Sequence, residues 1–406
     1  MSLLITEFEN DTLIIHMCSR VDTNNIEKIR NEINEALNGN AVSSVVVDAK
    51  KLEYISSIGL REILSLKKRF DDLNIVNVSP DVYDVFDVTG FTDMMTVERA
   101  FRSVSIDGCA LIGKGACGTV YKLDDERIVK VFVDGYEYEK VIRERNNSKN
   151  AFTHGVNTAI PFDIVKVGNN YGLIYEMIAA ETLKNKLSKE RDRLEYYIGI
   201  YAEYIRYMHS TSFETDCYPN LKKVWAGKID TLDGIFTDDE KESIKKLIYS
   251  LPDRNTFVHG DINFGNLLVD DEKAVMIDME DAVLGHPIYD TAFLYYILRL
   301  LPKLVPENIY DNMIGFTTEE SARIWLGFAK VYFGDKTKAE LEEIEAEIYP
   351  YGIVRLLDGV PACYLLFNSY DDDTKKAIDT AYRPAAEEYK RQLFDMLKSG
   401  IPSLSF

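Results

Sequence analysis

Along the first hundred residues, short segments that are apolar, or that alternate between apolar and polar residues, are interleaved with longer amphipathic segments. Strands are predicted where residues are apolar or alternate between apolar and polar, at residues 3–8, 12–17, 42–47 and 74–78. Helices with one apolar face are predicted where apolar residues recur at helical spacing, at residues 25–37, 59–70 and 81–88. Because the strands and helices alternate, we expect a small α/β sandwich here.

The pattern changes after this region. Strands are predicted at residues 119–123 and 128–133, on either side of a polar turn. The last hundred residues instead carry apolar residues at helical spacing, with helices predicted at residues 319–333, 338–348 and 377–397. A chain of 406 residues exceeds a typical single core of about 100 to 200 residues. We therefore expect more than one domain.

A predicted hairpin in the second half carries polar side chains at its base. Residues 267–269 and 274–277 are apolar, and a polar turn at residues 270–273 separates them. Antiparallel pairing about that turn places Asn266 and Asp278 nearly opposite one another, with Asp261 on the loop just before. Such oxygen ligands suit Mg²⁺, which prefers one or two carboxylates together with phosphate oxygens. The motif favours phosphoryl transfer, although residues that only cap turns would fit the same pattern.

A glycine-rich loop lies about 150 residues upstream of this hairpin. Gly113, Gly115 and Gly118, followed by Val120, let the backbone pass close over phosphates, because a Cβ there would hold the chain away. In a dinucleotide-binding fold such a loop joins a strand to a helix, whereas here a second strand follows and carries Lys130. A glycine loop within a strand hairpin is typical of kinases, in which this lysine contacts the α and β phosphates of ATP.

Four motifs in this order resemble the aminoglycoside phosphotransferase and choline kinase family of the protein-kinase-like fold. They are the glycine loop, the strand lysine, HGDINFGN at residues 259–266 and IDMED at residues 277–281. HGD in place of the HRD of protein kinases is more similar to small-molecule kinases. The resemblance covers residues 105–390 and implies a bilobal fold with a β-rich N-lobe and a helical C-lobe. The expected domains are then residues 1–100, 101–178 and 179–406.

The resemblance also implies roles for individual residues. Asp261 matches the catalytic aspartate, and Asn266 and Asp278 match the ligands of Mg²⁺. The family's ion pair to Lys130 needs a glutamate from the helix predicted at residues 138–152. Glu144 is favoured over Glu139, because Glu139 leaves little chain to cross from the strand to the helix. ATP and Mg²⁺ are the implied cofactors.

Other family positions lie around this set. Residues 173–178 resemble the hinge between lobes, which implies that backbone groups of Glu176 and Ile178 bind adenine, Glu176 through its carbonyl. Asp290 is expected to anchor the catalytic loop and His259 to support it, while His209 is expected to serve packing. Tyr349, Tyr351, Tyr364 and Tyr370 are available to line an acceptor pocket, although core packing would use most of them.

The segment at residues 45–64 resembles the STAS domain of anti-sigma-factor antagonists, in which a strand ends in a turn whose serine begins a helix. The regulatory phosphoserine of that family aligns with Ser57. The family's preceding aspartate is Ser56 here and its second serine is Ile58, so the match is incomplete. Ser56 or Ser57 would also serve as a plain N-cap, and a phosphate at this helix N-terminus would be favoured by the helix dipole.

The net charge and the cysteines indicate which partners and which cellular compartment to expect. The net charge is −20, which argues against partners such as nucleic acid or an anionic membrane. Five scattered cysteines without a CxxC motif predict reduced thiols in a cytoplasmic protein. Neither a signal-like N-terminus nor an apolar run of membrane-spanning length is present, so no membrane insertion is expected.

The sequence thus predicts an ATP- and Mg²⁺-dependent phosphotransferase that acts on a hydroxyl of a small molecule. Its STAS-like domain would regulate the enzyme or bind a protein partner. An alternative of another class is a nucleotide-sensing signalling protein, in which the kinase-like part binds ATP with little or no small-molecule kinase activity. A third hypothesis is that the kinase-like part phosphorylates Ser57 in cis.

Overall fold

The computed structural model describes residues 2–214, 217–270, 273–359 and 372–406. The chain divides into two compact units. The first comprises residues 1–107 with residues 164–172, and the second comprises residues 108–163 with residues 173–406. Cys363, Tyr364 and Tyr370 lie outside the described residues, as do residues 271 and 272 of the predicted turn.

The first unit is built on a five-stranded sheet. The strands are β1 (Ile5–Glu9), β2 (Thr12–His16), β4 (Ser44–Asp48), β6 (Asp72–Val78) and β7 (Thr96–Arg99), in the order β1-β2-β4-β6-β7. β1 runs antiparallel to β2, and the other neighbours are parallel. A short parallel pair, β3 (Arg20–Val21) and β5 (Tyr54–Ile55), lies apart from this sheet.

Three helices cover the buried side of this sheet: α1 (Ile26–Leu37), α2 (Ser57–Arg69) and α3 (Pro80–Val88). Burial alternates along β2 and β4, so that Leu13, Ile15, Val45 and Val47 point into the core. The apolar faces of the helices pack into the same cluster. An α/β sandwich was predicted here and is confirmed.

The β-rich part of the second unit contains the predicted glycine loop. The strands β9 (Ala110–Lys114), β10 (Gly118–Lys122) and β11 (Arg127–Phe132) belong to this unit. The strands β12 (Pro161–Val167) and β13 (Asn170–Glu176) belong to it only in part, because residues 164–172 are assigned to the first unit. The strands follow the order β12-β13-β11-β10-β9, and β10 pairs antiparallel with β9 and with β11. The short strand β8 (Arg102–Ser103) pairs with Val165 and Lys166 of β12, and all four residues belong to the first unit. Helix α4 (Tyr138–Thr153) connects β11 to β12.

The helical part of the second unit follows. Its helices are α5 (Leu183–Lys189), α6 (Leu194–Ser210), α7 (Leu221–Asp230), α8 (Asp238–Tyr249), α9 (Ile288–Tyr295), α10 (Glu307–Ile314), α11 (Thr318–Tyr332), α12 (Lys338–Asp358) and α13 (Asp372–Ser399). Short 3-10 turns span Arg191–Arg193 and Leu301–Lys303, and a π-helical turn spans Tyr296–Leu300. Large aromatic side chains, including Trp225 and Trp325, fill the core between these helices.

Helix α12 is longer than predicted. The sequence pattern ended it at residue 348, two residues before Pro350, and a proline within a helix lacks the N–H for a backbone hydrogen bond. The helix instead continues to Asp358, and every residue from Pro350 to Asp358 is buried. Packing on all sides compensates for the lost hydrogen bond.

Two small sheets in the helical part carry the motif residues. The strands β14 (Glu181–Thr182), β16 (Leu267–Val269) and β17 (Ala274–Met276) form one sheet, in which β16 and β17 are the predicted hairpin. The strands β15 (Thr256–Val258) and β18 (Val283–Gly285) form an antiparallel pair, and the loop from residue 259 to residue 266 joins β15 to β16. Among the described residues, no helix is both long and apolar enough to cross a membrane.

Candidate active site

The glycine loop joins β9 to β10 through a tight turn. The Gly115 N–H donates to the Gly118 carbonyl at 2.9 Å. A Cβ on Gly118 would lie 2.5 Å from the Val131 carbonyl oxygen, so close strand packing requires glycine there. A Cβ on Gly113 or Gly115 would make only ordinary contacts, at 3.7 Å and 4.0 Å. The protein's own packing thus leaves open space beside these two glycines.

Lys130 lies at the centre of a charged network beneath this loop. Its ammonium donates to both carboxylate oxygens of Glu144 at 2.8 Å and to Asp278 Oδ1 at 3.0 Å. The Tyr175 hydroxyl also donates to Glu144 at 2.8 Å. Burial would lower the pKa of Lys130, but the two carboxylates outweigh it and raise that pKa above its usual value. The lysine therefore stays positively charged.

Helical phase explains which glutamate reaches the lysine. Glu144 is buried and lies on the same side of α4 as Asn147, whereas Glu139 is exposed in the first turn. Asn147 donates to the backbone carbonyls of Met279 and Glu280, at 2.9 and 3.1 Å. The inward side of α4 therefore contacts both the strand lysine and the segment that follows Asp278.

Asp261 lies on the loop that precedes β16, and two amide side chains orient its carboxylate. Asn263 and Asn266 donate to Asp261 Oδ2 at 2.9 and 3.1 Å, and Asn266 also donates to the Asp261 carbonyl at 3.0 Å. Since the amide nitrogen of Asn266 is used by Asp261, its amide oxygen is left for another group. The loop backbone is held by the Tyr201 hydroxyl, which donates to the Ile262 carbonyl.

Two hydrogen bonds join the Asp261 loop to the strand that leads to Asp278. The Ile277 N–H donates to the Asn266 carbonyl at 2.8 Å, and His259 Nε2 donates to the Ile277 carbonyl at 3.1 Å. Asp278 itself has a φ of +66°, a left-handed backbone that is uncommon outside glycine. Such strain at a polar residue is typical of functional sites.

Asp290 anchors the loop that contains Asp261, as expected from the sequence. It is fully buried, and its carboxylate accepts from the N–H groups of His259 and Gly260 at 2.9 and 2.8 Å. His209 Nε2 lies 3.1 Å from the same carboxylate. Burial would raise the pKa of Asp290, but the hydrogen bond and charge of His209 more than offset it and hold that pKa below its usual value. His209 therefore contacts the Asp290 carboxylate in addition to its role in packing.

The hinge segment predicted at residues 173–178 overlaps the end of β13. The Glu176 carboxylate accepts from the Ile160 N–H at 2.8 Å, so this side chain serves the fold. The Ile178 carbonyl accepts from the Ala180 N–H at 2.9 Å, and the Met177 N–H donates to the Glu126 carbonyl at 2.7 Å. These bonds set the backbone path of the hinge.

Ser57 lies in the first unit, as the first residue of α2, and is exposed. The expected N-cap hydrogen bond is wrong. Ser56 occupies the N-cap position, yet its side chain makes no capping bond, and its hydroxyl is buried without a partner among the described residues. The extended backbone of Ser56 pairs its own N–H with the Val21 carbonyl at 2.9 Å, which continues the β3–β5 pairing.

Sequence reasoning missed two parts of this site. The Glu280 carboxylate accepts from the Tyr136 hydroxyl at 2.5 Å and from Arg143 at 3.0 Å, which ties the segment after Asp278 to α4 and to the turn before it. Arg355, far along the chain on α12, donates to the Gly260 carbonyl at 3.1 Å. Glu280 could have been noticed as the second acidic residue of IDMED, whereas no local motif surrounds Arg355.

Comparison with known proteins gives two domain matches. The model of the phosphotransferase enzyme family matches residues 108–314, just over half of the chain. The STAS domain model matches residues 4–105.

Several solved structures are similar to this chain. The ADP-bound aminoglycoside phosphotransferase APH(2'')-Ib is 15% identical, covers 69% of this chain and 94% of its own, and has a TM-score of 0.44. The aminoglycoside phosphotransferase APH(3'')-Id from Streptomyces rimosus, with ADP and streptomycin, is 15% identical, with 62% and 91% coverage and a TM-score of 0.40. The unphosphorylated anti-sigma factor antagonist SpoIIAA is 23% identical, with 23% and 86% coverage and a TM-score of 0.22.

The buried anchor leads to a stability prediction. Asp290→Asn removes a buried charge from two N–H donors and from His209, and should lower the free energy of unfolding by about 3 kcal/mol at pH 7. Because the folded pKa of Asp290 is depressed, its contribution is complete above the unfolded pKa of about 4 and is lost as the pH falls through the folded value. Urea unfolding at several pH values measures both effects.

The matched control is Asp253→Asn. Asp253 also pairs with a cation, Lys222 at 2.6 Å, but its side chain is 90% exposed. This variant should change the unfolding free energy by less than about 1 kcal/mol. Equal losses in the two variants would contradict the anchoring role of Asp290.

Proposed function

The chain belongs to the phosphotransferase enzyme family, and from that premise we propose that it transfers the γ-phosphoryl group of ATP to a hydroxyl group of a small-molecule acceptor. The observation that carries this proposal is the joining of the Asp261 loop to the Asp278 strand by two backbone-directed hydrogen bonds. That arrangement supports one site for a base and a phosphate-bound metal. Asp278 also contacts Lys130, which brings the strand lysine to the same site.

In this proposal Asp261 is the general base. Asn263 and Asn266 hold its Oδ2 oxygen, so the carboxylate has a defined direction when the acceptor arrives. Asp261 would accept the proton of the acceptor hydroxyl as that oxygen bonds to the γ-phosphorus and the bond to the bridging oxygen of ADP breaks. The products are ADP and the phosphorylated acceptor.

Asn266 and Asp278 fit a magnesium ion by the chemistry of their donors. Both offer oxygen atoms, and the Asn266 amide oxygen is the one that its bonds to Asp261 leave available. Among the described residues, no three His, Cys, Asp or Glu side chains form a group that could hold a metal alone. A two-ligand site suits Mg²⁺, which takes its other ligands from water and from the phosphates of the nucleotide. When bound, the ion neutralises charge on the transferring phosphate.

The remaining site residues would bind the nucleotide. Lys130, held by Glu144, presents a fixed positive charge to the α and β phosphates. The loop with Gly113, Gly115 and Gly118, together with Val120, would cover the phosphates. Backbone groups of Glu176 and Ile178 would bind adenine. We expect the enzyme to act in the cytoplasm, without nucleic-acid or membrane partners.

The STAS domain would regulate this activity or bind a protein partner. Ser57 is exposed at the N-terminus of α2, where free N–H groups and the helix dipole favour a phosphate. Phosphorylation would therefore be a local charge switch on this surface. The alternative function is nucleotide sensing through the STAS domain, with ATP bound but with little or no transfer.

Replacing the base tests the catalytic assignment. Asp261→Asn should lower the transfer rate to a panel of aminoglycosides, choline, sugars and hydroxylated amino acids by about 1000-fold, within the range known for general bases. The dissociation constant of MgATP should change by less than about threefold, because Asp261 does not contact the nucleotide in this account. Asp253→Asn is the control. Transfer by Asp261→Asn within a few-fold of wild type would contradict the assignment.

Two alanine substitutions in the glycine loop separate binding from folding. Gly115→Ala should weaken MgATP binding by about tenfold, because its Cβ would meet the phosphates, and should leave the melting temperature unchanged. Gly118→Ala should lower the melting temperature, because its Cβ would overlap the Val131 carbonyl. Calorimetric titration and thermal unfolding measure the two effects. Unchanged MgATP binding by Gly115→Ala would contradict the phosphate-covering role.

Intact mass spectrometry after incubation with MgATP tests phosphorylation in cis. If the chain modifies itself at Ser57, the wild type should gain one phosphoryl group and Ser57→Ala should gain none. Ser56→Ala, in which the buried neighbour is changed, should behave like the wild type. No gain of mass in the wild type would exclude this hypothesis and leave Ser57 as a substrate of another kinase or a plain helix residue.

A further inference from the structure

Arg355 is a buried arginine that reaches the catalytic loop from helix α12. Only 5% of the residue is exposed. One guanidinium nitrogen donates to the Gly260 carbonyl at 3.1 Å, and the guanidinium carbon lies 3.9 Å from the centre of the Tyr289 ring. The peptide that precedes Asp261 therefore contacts a positive charge that no sequence motif predicts.

A buried carboxylate fixes the direction of Arg355. The Asp358 carboxylate, also buried, pairs with Arg355 at 3.3 Å. Trp225 donates to the same carboxylate at 2.9 Å, and Lys228 does so at 3.0 Å. Because Asp358 has two further donors, the arginine can be altered without leaving that carboxylate unpaired.

The peptide backbone around Gly260 is thus held from both of its polar sides. Asp290 accepts from the N–H groups of His259 and Gly260, and Arg355 donates to the Gly260 carbonyl. Gly260 has a φ of +88°, and a Cβ there would lie 2.6 Å from the Asp281 carbonyl oxygen. A left-handed glycine has many alternative conformations, so an unheld loop would not keep Asp261 in one direction.

We propose that Arg355 is a positioning residue of the phosphoryl-transfer site, which orients Asp261 by holding the Gly260 carbonyl. This inference rests on the proposed function, in which Asp261 is the base. Stability alone gives little reason for the arginine, since buried ion pairs are often replaced by apolar residues without loss. A misplacement of a reacting group by about 1 Å can cost about 100-fold in rate, so holding one carbonyl has a catalytic consequence.

Three variants test the proposal. Arg355→Met removes the guanidinium, and Arg355→Lys keeps the charge but cannot pair with Asp358 and reach Gly260 through one planar group. Lys228→Met is the matched control. The Lys228 side chain is partly exposed and pairs with the same buried Asp358 carboxylate. The first readout is hydrolysis of MgATP with water as the acceptor. The second is hydrogen exchange at the amides of residues 259–261, which needs no turnover.

The turnover number should fall about 100-fold in Arg355→Met and about tenfold in Arg355→Lys, with the KM for MgATP within about twofold of wild type. Lys228→Met should stay within about twofold in both constants. Should Arg355→Met fail to fold, the lysine variant carries the same test. Where the wild type hydrolyses MgATP, the proposal is overturned if both arginine variants match Lys228→Met, or if KM rises as the turnover number falls.

The exchange measurement separates this proposal from the proposed function. Faster exchange at residues 259–261 in Arg355→Lys, and not in Lys228→Met, supports the positioning role even if the wild type does not hydrolyse MgATP. In that case the positioning role stands on its own, and transfer to the acceptor panel decides the proposed function. Unchanged exchange in Arg355→Lys overturns the positioning role, whatever the activity of the wild type.

Discussion

The buried carboxylate of Asp290 is the interaction on which the rest of the site depends. It binds two consecutive N–H groups, of His259 and Gly260, and thereby sets the direction in which the loop leaves β15. His259 then donates to the Ile277 carbonyl, one residue before Asp278. The residues proposed as base and metal ligand are therefore positioned by one buried charge. Such a buried charge is stable only because each carboxylate oxygen has a donor. Removing one donor would therefore destabilise the whole anchor.

Negative charge is concentrated around this anchor. Asp261, Asp278, Glu144 and Glu280 lie on adjoining segments, and Lys130 contacts two of them. Glu280 pairs with Arg143, whereas side-chain amides hold Asp261 without adding positive charge. A triphosphate would meet repulsion here unless a cation accompanied it. This electrostatic requirement is the physical reason to expect the nucleotide to bind as its magnesium complex.

The sequence was informative where the chemistry is local. The hairpin of β16 and β17 follows from an apolar, polar, apolar pattern, and the short chain between the strand and Glu139 favours Glu144 as the partner of Lys130. Both the STAS domain and the kinase-like fold could be expected from contiguous motifs. The roles assigned to the individual site residues remain predictions.

Long-range contacts could not be predicted in the same way. Arg355 lies 95 residues after Gly260 and reaches it only because α12 continues past Pro350 into the core. Ser56 or Ser57 was expected to cap α2 with its hydroxyl, but Ser56 lies at the N-cap without a capping bond, and the backbone pairing of β3 and β5 determines its place. Tertiary packing overrode a local preference in each case.

The central claim is that a small-molecule hydroxyl receives the γ-phosphoryl group of ATP at Asp261. The most direct test is to incubate the wild-type chain with Mg²⁺, γ-labelled ATP and a library of hydroxyl compounds, and to follow the label by mass spectrometry. The account predicts that the label appears, together with an equal amount of ADP, on a small molecule. Tight binding of MgATP with no labelled compound and no ADP would contradict it and favour a nucleotide sensor.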